Sequence, residues 1–161
     1  MEFKREGLMH YGFKGFITIR DLRRGIIGDV PENGGVYLVI REIGGRPNFF
    51  DKNPGGHFKK KCPTVDQDRL NKEWVNGAHV IYIGKGDNLQ ERIRMFLRFG
   101  EGKPVAHWGG RLIWQIEHSE EFMIAWKEAK PSENPKHLES HVLELFSQYY
   151  RRKLPFANLR R

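Results

Sequence analysis

Tyr37 in Gly35-Val36-Tyr37 and Tyr82 in Tyr82-Ile83-Gly84 are followed along the chain by Lys85, Arg92, Glu139 and Asn158, a set of residue types that could hydrolyse a phosphodiester. That reaction needs a deprotonated water, compensation for charge on the phosphoryl oxygens and help for the leaving oxygen. A tyrosine ordinarily ionises near about pH 10, so it serves as a base only beside a cation or metal that favours the phenolate. Lys85 and a bound Mg²⁺ would supply that. The donor fork of Arg92 suits a phosphate whose charge rises in the transition state. Taken singly, the two tyrosines would equally suit a hydrophobic core.

Helical faces select among the charged residues. Arg92 lies near Leu89 and Phe96 at the margin of an apolar face, whereas Arg94 and Arg98 point away, to solvent or to a phosphate backbone. Glu139 shares a face with Val142, Leu143, Phe146 and Tyr150, so it points inward. Glu144, among Ser140, His141, Ser147 and Gln148, has the surroundings of a solvated charge. An inward carboxylate is costly unless paired, and its partner would be Mg²⁺ with several waters or a salt bridge to Arg92. One metal carboxylate argues for one ion rather than two.

These residues must be positioned by a small set of elements. The β-branched and aromatic run after Pro31-Glu32-Asn33-Gly34 predicts a strand over 35–42, and a second strand begins at His79 and is broken by Gly84-Lys85-Gly86. Asp87 as N-cap predicts a helix over 88–99. Arg111 to Glu117 and Phe122 to Lys127 read as an antiparallel hairpin, with Trp114 and Trp126 packing in it. Asn134 before Pro135 opens a last helix that ends before Leu154-Pro155, and Thr18 with Asp21 predicts a short helix through Arg24. The whole reads as α+β, a small, largely antiparallel sheet flanked by helices. The 161 residues make a single domain, with 1–33 as an N-terminal extension and 41–78 as an insert.

Two strand tyrosines, an Arg on the following helix, a Glu on a later one and an Asn near the end together resemble the GIY-YIG nuclease family over roughly residues 34 to 158. The resemblance implies a metal-dependent endonuclease acting on DNA, RNA being left open, with one Mg²⁺ (or Mn²⁺) per active site on Glu139. It assigns Tyr37 as the favoured general base and Tyr82 as its hydrogen-bonding partner or substitute. Asn158 would brace the site or serve as a plain turn residue. Phe96 stands four residues after Arg92, where such nucleases often have His or Tyr. His107, in His107-Trp108-Gly109-Gly110-Arg111, would substitute in space, support a tight turn, or contact nucleic acid. A catalytically silent nucleic-acid-binding module on the same scaffold is the competing reading, and Phe96 is its support.

The insert separates the two tyrosine motifs and carries Lys52, Lys59, Lys60 and Lys61 with Phe49, Phe50 and His57, either as duplex contacts or as a solvated loop. Its basic residues match the whole chain. There are 28 Lys and Arg against 20 Asp and Glu, a net charge of +8, which attracts phosphate backbones without selecting a sequence. No apolar run approaches the length of a membrane span, and Met1 to Gly12 has no secretory apolar core. Cys62 is the single cysteine, which suits a reducing cytoplasm, and with His57 it lacks the paired spacing of a zinc site. Gly84-Lys85-Gly86 is not a Walker loop, so no nucleotide cofactor is implied. One active site cuts one strand, so cutting two calls for a homodimer or two successive visits.

Overall fold

The computed structural model describes residues 1–159; Arg160 and Arg161 lie outside the described residues. Four antiparallel strands form one sheet in the order β1-β4-β2-β3, with β1 at Lys14–Thr18, β2 at Gly35–Ile40, β3 at Val80–Gly86 and β4 at Met123–Glu128. Helices are α1 (Arg5–Tyr11), α2 (Ile19–Arg23), α3 (Gln67–Glu73), α4 (Leu89–Gly100) and α5 (Pro135–Tyr149). The expected α+β class is the observed one. Among the described residues no helix is long and apolar enough to cross a membrane.

β2 explains the arrangement. Both its neighbours are strands and all six of its residues are buried, which is why its sequence is a continuous apolar run rather than an alternation. Tyr37 and Val39 face one layer with Leu89, Ile93, Phe96 and Phe99 of α4, while Val36, Leu38 and Ile40 face the other with Leu138, Val142 and Phe146 of α5. The sheet is therefore the middle of three layers. On β3 the register slips, so that Val39 pairs with Tyr82 and Ile40 with Val80, leaving Ile81 as the extra residue. This bulge puts Ile81 and Tyr82 together in the α4 layer beside Tyr37.

Several sequence expectations change here. Gly84-Lys85-Gly86 continues β3 instead of breaking it, because these residues pair with Tyr37, Val36 and Gly35. Gly84 is required for that pairing: a Cβ there would stand 2.6 Å from the Tyr37 ring carbon that bears the hydroxyl. The N-cap of α4 is Asn88, whose side chain accepts from the Glu91 amide at 3.0 Å, rather than Asp87. The expected hairpin does not form. Trp108–Gln115 is a 3₁₀ run that turns Trp114 under α4, 4.6 Å from the Phe96 ring, and only β4 remains as strand. Residues buried on every side lose the period that separates a strand from a tight helix.

The flanking segments also belong to the fold. Residues 1–33 supply α1 and the edge strand β1, which pairs with β4, and Phe3 and Leu8 are fully buried. The insert is a folded wrap rather than a solvated loop. Phe49 stacks on Phe156, Trp74 meets the same ring edge-on, and the buried amide of Gln115 is bonded to Phe50 and to both backbone groups of Val65. Thr18 and Asn134 cap α2 and α5 as expected.

Replacing Gly84 with alanine should destabilise the chain by about 1–3 kcal/mol through overpacking against Tyr37. Urea unfolding at an unchanged m-value checks it; a neutral result would mean that the β2 and β3 pairing is looser than described.

Candidate active site

The bulged register brings Tyr37 and Tyr82 side by side, ring centroids 6.0 Å apart. Tyr37 is fully buried, and its hydroxyl lies 2.5 Å from Nε2 of His107. His107 arrives from the loop after α4 and packs 5.0 Å from the Phe96 ring. His107 thus packs against Phe96, the residue four positions after Arg92. Gly110 makes room for it, since a Cβ there would fall 2.8 Å from the imidazole. As a nucleic-acid contact His107 is corrected, because its side chain is fully buried.

Burial, reinforced by the Arg92 charge, pushes the His107 pKa down to about 3, so the imidazole is neutral at physiological pH. Tyr37 is held well above the usual tyrosine value, first by burial and then by the neighbouring Tyr82. Tyr82 is also raised by burial, but Arg92 and a hydrogen bond from the Tyr37 hydroxyl act in the opposite direction. Tyr37 and the neutral His107 share one hydrogen bond, in which the imidazole tautomer sets which of them donates. Tyr37 sits behind Tyr82, and of the two tyrosines Tyr82 is the one that lines a cavity.

Tyr82, Lys85, Asp87, Arg92 and Glu139 line one cavity of about 390 Å³. Each side chain comes from a separate constraint. Lys85 projects from the end of β3, Arg92 from the first turns of α4, and Glu139 from the inward face of α5. The Arg92 guanidinium is anchored by donation to the Ala106 carbonyl at 2.7 Å, one residue before His107. No ion pair joins Arg92 and Glu139 among the described residues, so the salt-bridge reading of Glu139 does not hold. Burial raises the Glu139 pKa, opposed by Lys85, Lys136 and Arg92.

Asn158 acts from outside this cavity. Its side chain accepts from the Ile83 amide and donates to the Ile83 carbonyl, both at 2.9 Å, and Ala157 donates to the Ile81 carbonyl. The C-terminal segment thereby occupies the free edge of β3 next to Tyr82. The remaining basic residues are dispersed. Lys61 reaches a second, adjoining cavity, Arg94 leans on Glu91, and Lys59, Lys60 and Arg98 are exposed on the surface. Trp108 and Arg111, which line that second cavity, were missed as site residues although the Gly-Gly turn beside His107 was noted.

Among the described residues no group of three or more His, Cys, Asp or Glu is placed to hold a metal ion. In the cavity, Glu139 and Asp87 are the carboxylates that could meet a hard cation, which needs only one or two and completes its shell with water and phosphate oxygens. Comparison with family models, curated proteins and solved structures found no match to this chain.

The depressed His107 pKa has a signed consequence for stability. The unfolded imidazole, near pH 6.5, binds a proton that the folded one refuses down to about 3, so stability contributed by neutral His107 is present above pH 6.5 and is lost on acidification through that window. The parent should therefore show up to about 1.4 kcal/mol per pH unit more acid sensitivity than His107→Asn between those limits. Denaturant melts across the window check this; parallel curves would show that His107 is not held neutral.

Proposed function

We propose that this chain is a metal-dependent endonuclease of the GIY-YIG type that hydrolyses phosphodiester bonds in DNA. The observation that carries the reading is the convergence of Tyr82, Lys85, Arg92 and Glu139 on one cavity, with Tyr37 and His107 directly behind. Polar residues fixed by three different elements, β3, α4 and α5, have no packing reason to meet around open space. His107 also answers the strongest argument for a silent binding module, since Phe96 leaves no gap in the site.

In this reading Tyr82, with Tyr37 sealed behind it, accepts the proton of the attacking water; burial holds its pKa above the usual value, Arg92 opposes that shift, and a metal bound at Glu139 would supply the further bias toward the phenolate. The water oxygen bonds to phosphorus, the bond to the leaving oxygen breaks, and that oxygen takes its proton from solvent. Arg92, held rigid on the Ala106 carbonyl, and Lys85 face the phosphoryl oxygens as their charge grows. Glu139 would hold one Mg²⁺ or Mn²⁺, which when bound supplies Lewis-acid stabilisation of that same charge. Asn158 keeps β3 straight beneath Tyr82. The +8 charge supports a polyanionic substrate, and the single exposed Cys62 supports a cytoplasmic setting. One such cavity per chain cuts one strand, so double-strand cleavage would call for a homodimer.

Glu139→Gln and Arg92→Ala should each lower the cleavage rate by about 10²-fold or more. Because burial raises the folded pKa of Glu139, its charge costs stability as pH rises through that value, so Glu139→Gln should melt at or above the parent temperature at neutral pH. The parent rate should climb with pH as Glu139 ionises. Plasmid cleavage with parallel melts measures both; full activity in either variant would refute the assigned site.

A further inference from the structure

The cavity beside the catalytic one is larger, about 620 Å³, and shares Tyr82 and Glu139 as a common wall. Its other walls have a different chemistry. Trp108 and Arg111 form a stack, the guanidinium 4.7 Å from the indole ring, and Lys61 enters from the insert. Gly109 lies against the Tyr82 hydroxyl, close enough that a Cβ at that position would touch it at 3.4 Å. Neither Lys61 nor Arg111 has a carboxylate within ion-pair distance among the described residues. The chamber therefore offers two unneutralised cations and a flat cationic-aromatic surface, directly continuous with the proposed hydrolytic site.

We infer that this chamber seats the nucleotide flanking the scissile phosphate, with its base unpaired and stacked on the Trp108 and Arg111 surface and its phosphate facing Lys61 and Arg111. This deepens the proposed function and rests on it. A concave chamber of this volume lies within the roughly 300–1,000 Å³ range of sites for small ligands and admits one nucleotide, whereas a duplex is too broad to enter. Stacking on an aromatic or guanidinium plane requires a base that has left its helix or belongs to a single strand. The insert that separates the two tyrosine motifs thus acquires a role, since it carries Lys61 to the chamber. The substrate class follows: DNA with an unpaired nucleotide at the cut.

The test uses the full chain in chelator, with fluorescent oligothymidylate, the same strand built from abasic sugars, and a duplex of equal length, followed by anisotropy. The base-bearing single strand should bind at least about tenfold more tightly than the abasic strand, and more tightly than the duplex. Trp108→Leu and Arg111→Gln should each abolish the preference for bases, while Lys61→Gln should weaken both single strands alike. Circular dichroism identifies a variant that fails to fold, and Arg111→Gln tests the claim if Trp108→Leu does so. Equal binding of base-bearing and abasic strands, or a preference that survives Arg111→Gln, overturns the inference. Mg²⁺-dependent plasmid cleavage by the parent separates the two claims: cleavage without base preference removes the chamber's role alone, and absence of both binding and cleavage removes the proposed function with it.

Discussion

The contact between the His107 imidazole and the Tyr37 hydroxyl is the constraint on which the rest of the site depends. Both groups are fully buried between the sheet and α4, where an unpaired polar atom costs about 1–3 kcal/mol. Their pairing ties the loop after α4 to the central strand. It draws Ala106 to where its carbonyl holds Arg92, and it turns Trp108, Gly109 and Arg111 along the wall of the second chamber. A hydrogen bond so deeply buried is stronger electrostatically than it would be in water and holds both groups in place.

The electrostatics of the cavity follow from the same packing. Arg92 is close enough to depress His107 and to favour the Tyr82 phenolate, while Glu139 is surrounded by Lys85, Lys136 and Arg92 without being tied to any of them. A carboxylate so placed keeps its oxygens available. Had Arg92 and Glu139 formed the buried salt bridge that their sequence also allowed, each would have consumed the other's function. The anchor on the Ala106 carbonyl keeps them apart.

Much of this was legible in the sequence because it rests on local rules. The apolar run of β2, the Asn134-Pro135 opening of α5 and the Thr18 cap each declare themselves within a few residues. The inward face of Glu139 follows from helical spacing alone. What stayed hidden depends on contacts between distant segments. The bulge at Ile81, which sets Tyr82 beside Tyr37, leaves no mark on a strand already apolar on both faces. The 3₁₀ run of Trp108–Gln115 carries the composition of a strand, and only the burial of Trp114 under α4 decides against one. The insert reads as turns and lysines, yet Phe49 and Trp74 clamp it onto Phe156 near the far end of the chain. That Tyr37 is sealed in the core while Tyr82 lines the cavity is likewise set by packing between distant segments.

The central claim is that the converged cavity hydrolyses phosphodiesters, and incubation of the purified chain with plasmid DNA, with and without Mg²⁺ or Mn²⁺, followed by sequencing of the product ends, tests it most directly. The account predicts metal-dependent backbone cleavage that leaves phosphate on one side of each cut and hydroxyl on the other. Intact plasmid together with intact single-stranded circular DNA in the presence of both metals, under conditions where the chain binds DNA, would contradict it.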